Sequence, residues 1–161
     1  WGMDGETNAF LEEVFLWLSE NLPLSPNPKK LCWGDSRIGN VLFEDFQVKS
    51  LLDWEMATIG DPLCDLAWGL TTDDVSSYGL NIEKLSGSIS NEEAIKFWEK
   101  NTGYSADNFF YYRILCLFKF SVIMIRVAKK LIHNEIMPLD SDFHVNNHVS
   151  NYLRQEFNEK N

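Results

Sequence analysis

The sequence predicts an α+β fold, mostly helical, with one small strand-and-loop insert. Three observations carry that expectation. Apolar residues recur at helical spacing in five separate stretches. Strand-like apolar runs are confined to residues 30–54. The chain has 161 residues, 45% apolar and 24% charged, which suits a single domain over 1–161 with a sizeable core.

Residues 7–22 read as an amphipathic helix. Thr7 is placed to cap it, and Phe10, Leu11, Val14, Phe15, Leu18 and Leu22 form its apolar stripe. Pro23, Pro26 and Pro28 then end the helix and stiffen a connector. Three short runs follow, Lys30–Trp33, Val41–Phe43 and Val48–Trp54, with a hairpin turn expected at residues 44–47. Asp61-Pro62 starts a helix that should run to about Leu70, because Asp favours the cap and Pro the first helical position. Residues 71–87 read as polar and irregular. Ser90 and Glu93 have capping-box spacing and open a helix that Gly103 should stop. A helix from about 105 or 107 to 133 is apolar nearly all round, so it belongs in the centre of the fold. A last helix is expected over 142–157.

Charge narrows the function. The net charge is −10, and a surface that acidic repels phosphate backbones and anionic lipid heads, so neither nucleic acid nor membrane is an expected partner. The most apolar stretch, 109–127, is interrupted by Arg113, Lys119 and Arg126, which argues for a buried helix with a charged edge. Cys32, Cys64 and Cys116 form no C-x-x-C pair, and with no signal-peptide pattern they read as reduced thiols of a cytoplasmic protein. His144 and His148 are four apart on an expected helix but lack a third ligand at sensible spacing.

The acidic charge is concentrated. Residues 35–74 hold nine carboxylates against Arg37 and Lys49. For Glu44, Asp45, Asp73 and Asp74 a solvated face is explanation enough. Asp53 differs, because it ends the apolar run 48–52 and a charge at the mouth of a buried strand needs a partner. The loop 34–40, with glycine at positions 34 and 39, can aim Asp35 and Asn40 into a common space. Asn40 and Asp53 would then supply two hard oxygen ligands suited to Mg²⁺. Asp35 would remain to accept a proton from an incoming hydroxyl, and Arg37 to neutralise anionic oxygens. Phosphoryl transfer needs those parts.

Three ordered blocks carry a family resemblance: Trp33-Gly34-Asp35-Ser36-Arg37-Ile38-Gly39-Asn40, then Leu51-Leu52-Asp53-Trp54-Glu55, then Gly60-Asp61-Pro62-Leu63-Cys64-Asp65-Leu66-Ala67. The chain resembles the aminoglycoside phosphotransferase and choline kinase family, with its pattern H-G-D-x-x-x-x-N, D-W-E and G-D-P-x-x-D-L-A. It is most similar to the phosphotransferase-like domains that stand alone in bacteria or are fused to acyl-CoA dehydrogenases. The resemblance is specific over about residues 15–70. It implies a protein-kinase-like fold, ATP or GTP as phosphoryl donor, Mg²⁺, and a small-molecule hydroxyl as acceptor. It makes Asp35 the catalytic base, with Arg37 beside the transferred phosphate. It makes Asn40 and Asp53 the ligands of the metal that holds the nucleotide, and Glu55 either a helper to that metal through water or a support of the loop. Asp61 is then expected as a helix cap and Asp65 as a buried brace to the catalytic loop.

Two departures qualify it. Trp33 stands where the family usually has His. No glycine-rich loop and no strand bearing a suitable Lys is found before residue 30, so the chain corresponds to the C-terminal lobe. The absent N-terminal lobe would then be its natural partner, activity of this lobe alone should be very poor, and an uncovered apolar face would favour a homodimer. The rival reading is a degenerate, non-catalytic kinase-like binding domain.

Overall fold

The computed structural model describes residues 8–159. They fall into two compact units, Pro23–Arg113 and the described parts of Trp1–Leu22 and Ile114–Asn161.

The second of these is helical. Helix α1 spans Ala9–Glu20. Thr7, the expected cap, lies outside the described residues; Asn8 caps the helix, accepting from the Leu11 N–H at 3.2 Å. Leu11, Val14 and Leu18 of α1 are buried, at the spacing that makes one face of a helix. Helix α4 covers Phe109–His133. In this unit it buries Ile114, Leu117, Ile125 and Ala128, and full burial of an Ile or Leu side chain contributes about 1.5–3 kcal/mol. The final helix, α5, is His148–Asn158, shorter than the expected 142–157. Asn147 starts it late by accepting from the Val149 and Ser150 N–H groups at 3.0 Å each. Residues 143–145 form a turn, so His144 and His148 do not share a helical face. Phe157 of α5 meets the rings of Phe10 and Trp17 edge-on, at 6.0 and 5.8 Å.

The unit Pro23–Arg113 holds all the strands. Strand β1, Lys30–Cys32, pairs antiparallel with β4, Thr58–Gly60. Strand β4 has only three residues and no alternating pattern, so nothing in its sequence announces it. Strands β2, Val41–Glu44, and β3, Gln47–Leu51, form the expected hairpin. Asp45 and Phe46 turn it at φ +49° and +60°, the left-handed pair that a two-residue hairpin loop requires. One expectation fails here: β3 is exposed along its whole length, so Asp53 does not follow a buried strand.

Helix α2 runs Leu63–Ser77, well past Leu70. Hydroxyls that made this stretch look irregular bond back along the helix, Thr72 to the Trp68 carbonyl at 2.9 Å and Ser76 to that of Thr72 at 2.7 Å. Asp74 is not solvated, as expected from composition, but only 1% exposed. It accepts from Arg113 and Asn91 at 2.7 Å and pairs with Lys84 at 2.6 Å. Arg113, placed on a charged edge by the sequence, is buried against it, whereas Lys119 and Arg126 are exposed. Helix α3, Asn91–Thr102, has the expected Ser90–Glu93 capping box and stops at Gly103, φ +72°. Among the described residues, no helix is long and apolar enough to cross a membrane.

Candidate active site

The loop between β1 and β2 is built from its two ends. Cys32 closes β1 and is buried. Gly34 then adopts φ +91°, and a Cβ there would collide with the Met56 carbonyl, so only glycine passes this point. Asp65, in the first turn of α2, receives the turn: its carboxylate accepts from the Trp33 N–H at 2.7 Å and the Gly34 N–H at 2.8 Å. Ser36 adds a bond from its hydroxyl to the Asp65 carbonyl at 2.6 Å. Asp65 is thus the expected brace. Asp61 fixes the entry to α2. Its carboxylate accepts from the Leu63 N–H at 2.9 Å, Asn27 at 3.0 Å and Tyr112 at 3.3 Å, and also from Ser25. The proline-rich connector is thereby tied to the start of α2.

Asp35 sits in this frame, 13% exposed at the side chain. One oxygen, Oδ1, accepts from the Trp68 indole N–H at 2.7 Å. The other, Oδ2, accepts from Asn40 at 2.7 Å and Arg37 Nε at 3.1 Å. Burial pushes its pKa up, but the bonds from Trp68, Arg37 and Asn40 outweigh burial and hold it below the ordinary carboxylate value. Asp35 is therefore an oriented anion at neutral pH. A carboxylate has about four lone-pair sites, and three are used, which leaves room for one incoming hydroxyl. Arg37 is 51% exposed, so most of its guanidinium remains available to another anion.

Asn40 is buried at the end of a short 3₁₀ turn, Ile38–Asn40. Its side-chain NH₂ donates twice, to the Asp35 carbonyl at 3.1 Å and to Asp35 Oδ2 at 2.7 Å. Those two acceptors fix the orientation of the amide, because only nitrogen can donate to both. Among the described residues nothing donates to Asn40 Oδ1. The Asn40 carbonyl accepts from the Leu52 N–H at 2.8 Å, which extends the β2–β3 ladder by one step. Asp53 therefore follows the residue that meets Asn40, at the open end of the hairpin. It is exposed, has φ +61°, and bears no hydrogen bond or ion pair among the described residues. Asn40 Oδ1 and the Asp53 carboxylate are both uncommitted hard oxygens, the chemistry that Mg²⁺ takes when it binds through one or two protein oxygens plus water and phosphate. Glu55 lies two residues on, in the exposed turn closed by the Ala57 N–H on the Trp54 carbonyl. Among the described residues no hydrogen bond joins it to Asn40, and no three His, Cys, Asp or Glu side chains converge on one point.

Sequence reasoning singled out Asp35, Arg37, Asn40 and Asp53, and the structure joins the first three by hydrogen bonds; it passed over Trp68, which donates to Asp35. Its signal was faint: position 68 follows Asp65 by three, so both project from neighbouring turns of one helix.

Comparison with known proteins bears on the family and the fold. The profile of the phosphotransferase enzyme family matches residues 4–98. Acyl-CoA dehydrogenase family member 11 of Homo sapiens is 33% identical over 126 residues, covering 70% of this chain and 16% of that protein. The Gallus gallus protein of the same name is 33% identical over 138 residues, covering 77% and 18%. The chain thus spans less than a fifth of the length of these relatives. A Ralstonia eutropha protein, described as an aminoglycoside phosphotransferase, superposes with a TM-score of 0.67 at 18% identity, over 96% of this chain and 48% of the other. That likeness is one of fold, the kinase-like phosphotransferase fold, mostly helical with small paired strands. On the match that spans 4–98 and on this fold, the chain belongs to the phosphotransferase enzyme family.

Proposed function

We propose that the chain is the catalytic half of a kinase-like enzyme that transfers the terminal phosphoryl group of ATP or GTP to a hydroxyl of a small molecule. The observation that carries the reading is the division of labour at Asn40. Its nitrogen holds Asp35 at 2.7 Å, and its oxygen stays uncommitted, while its backbone carbonyl holds Leu52, the residue before Asp53. One side chain so couples a proton acceptor to a cation ligand.

In this reading the acceptor hydroxyl binds to the open lone pair of Asp35, which orients its oxygen toward the terminal phosphorus. The new O–P bond forms as the bond to the nucleoside diphosphate breaks, and the hydroxyl proton passes to Asp35. Because Asp35 is a weak base, its main contribution is orientation and a late proton transfer. Arg37 meets the phosphoryl oxygens. Asn40 and Asp53 would hold Mg²⁺, which when bound neutralises phosphate charge.

A lobe covering the nucleotide is also proposed. Leu42, Phe43, Val48, Leu52 and Trp54, around the open hairpin, are each more than two-fifths exposed, and the structural relative has about as much chain again outside the match. Its absence should leave this chain a poor catalyst by itself. The acidic surroundings of the loop suit a cationic acceptor such as an amino sugar or amino alcohol. Relatives named acyl-CoA dehydrogenases favour a hydroxy-acyl acceptor instead.

The test is nucleotide consumption by the complete polypeptide that carries this sequence. ATP and GTP would be offered with amino sugars, amino alcohols and hydroxy-acyl thioesters, against an Asp35→Asn control. Acceptor-dependent turnover that vanishes in the control is expected. Turnover that persists in Asp35→Asn would remove the assigned base, and none with any acceptor would favour a binding domain.

A further inference from the structure

We propose that Ser25 is a phosphorylation site for a proline-directed protein kinase, and that its modification releases the proline-rich connector from Asp61. Ser25 is the one Ser or Thr of the chain that Pro follows. Pro26 has a fixed φ and no N–H, and it holds Ser25 itself extended. A proline-directed kinase selects that pair of features. Residues 24–26 are exposed and carry no regular secondary structure, so the segment can lie in a kinase cleft as an extended strand.

Exposure alone would make Ser25 an ordinary surface serine, but its hydroxyl is committed. It donates to the Asp61 carboxylate, and the same oxygen accepts from the Asn27 N–H at 3.1 Å. Asp61 is only 7% exposed. Its other donors are the Leu63 N–H at 2.9 Å, the Asn27 side-chain amide at 3.0 Å and the Tyr112 hydroxyl at 3.3 Å. All four donors are uncharged, so none of them compensates a second anion. Asn27 carries the connector on to the approach of α4, exchanging two bonds with the Ser105 backbone at 2.8 Å each.

Phosphorylation inverts this contact. The Ser25 oxygen bonds to the terminal phosphorus of ATP as the bond to ADP breaks, and the hydroxyl proton leaves to the kinase's base. The donor is gone. In its place stand three acceptor oxygens and a charge of about −1.5 to −2, facing a carboxylate. Repulsion and the lost hydrogen bond expel the modified side chain, and Asn27 leaves with it. The connector leads directly into β1, and Asp61 fixes the entry to α2, whose Asp65 holds the Trp33 and Gly34 N–H groups. Release therefore reaches the loop that carries Asp35.

The effect on turnover rests on the phosphotransferase reading, whereas modification and release do not, so the test separates them. The complete polypeptide is incubated with ATP and a mitogen-activated protein kinase, and the site is mapped by mass spectrometry. Phosphate on Ser25 in the wild type and not in Pro26→Ala is expected. No phosphate on Ser25, or phosphate there that does not depend on Pro26, would overturn the proposal. Release is read by amide hydrogen exchange at Ser105, whose N–H is held by Asn27. It should accelerate by about tenfold in the phosphorylated protein, the worth of one hydrogen bond, while amides of α5 keep their protection. Ser25→Ala deletes the donor without adding charge and should accelerate it less. Unchanged exchange at Ser105 in the phosphorylated protein would equally overturn the proposal. Acceptor-dependent turnover should fall with phosphorylation by about tenfold. If modification and exchange respond while the unmodified polypeptide turns over no acceptor, the Ser25 switch stands and the phosphotransferase reading fails. If turnover proceeds and phosphate on Ser25 alters neither it nor exchange at Ser105, the switch fails and the phosphotransferase reading stands.

Discussion

The indole N–H of Trp68 donates to the Asp35 carboxylate at 2.7 Å, linking a buried helix residue to the group assigned as proton acceptor. Trp68→Phe keeps most of the packing and leaves that carboxylate oxygen without its donor. Leaving a partly buried charge short of one bond costs about 1–3 kcal/mol, and a misaligned acceptor slows transfer by about tenfold to a hundredfold. Thermal melts and acceptor-dependent turnover check the two effects.

The same contact sets a pH dependence. The folded pKa of Asp35 is lowered, so its contribution to stability is present above the ordinary carboxylate value and is lost as pH falls through the lowered one. Trp68→Phe brings the folded value back toward the ordinary one. Asp35's share of the acid-induced loss should therefore shrink in the variant, so urea midpoints measured from pH 6 down to pH 3 should start lower but fall less steeply than in wild type.

Gly34 is conformationally committed. Its φ of +91° and the Met56 carbonyl behind it exclude a Cβ. Gly34→Ala should destabilise by at least the roughly 1–2 kcal/mol of a left-handed non-glycine residue, with the clash added. Because Gly34 also donates to Asp65 at 2.8 Å, the variant should disturb the loop that carries Asp35 first. Loop-selective exchange at residues 33–40, ahead of global unfolding, is the expected signature.

Asp74, Arg113 and Lys84 form a buried charged cluster remote in sequence. Arg113→Met leaves Asp74, 1% exposed, with fewer donors and should cost about 3–5 kcal/mol. The Asp74 pKa is lowered: burial raises it, and Lys84, Arg113 and Asn91 more than compensate. Its stabilisation is thus present above the ordinary carboxylate value and lost as pH falls through the folded one. Asp74→Asn should lower stability at pH 7 and flatten the acid limb of the unfolding profile.

Much of this was legible in the residues. Helices α1, α3 and α4 and the β2–β3 hairpin follow from apolar spacing, the Ser90–Glu93 box and a short polar turn. Asp35, Asn40 and Asp53 stood out because their chemistry and spacing suit one task. What stayed hidden depended on partners far away in the chain. Asp74 reads as a surface charge until Arg113, 39 residues on, is seen to meet it. The reach of α2 to Ser77 was masked by hydroxyls that satisfy themselves within the helix. Strand β4 exists because β1 pairs with it, and Asp53 follows a strand that is exposed along its whole length rather than a buried one.

The most direct test of the central claim, that Asn40 and Asp53 make a nucleotide-linked cation site, is Mn²⁺ binding by electron paramagnetic resonance. It would be measured with and without ATP on the complete polypeptide and on Asp53→Asn. The account predicts binding that ATP strengthens and that Asp53→Asn abolishes. Mn²⁺ binding that is indifferent to ATP and unchanged in Asp53→Asn would contradict it.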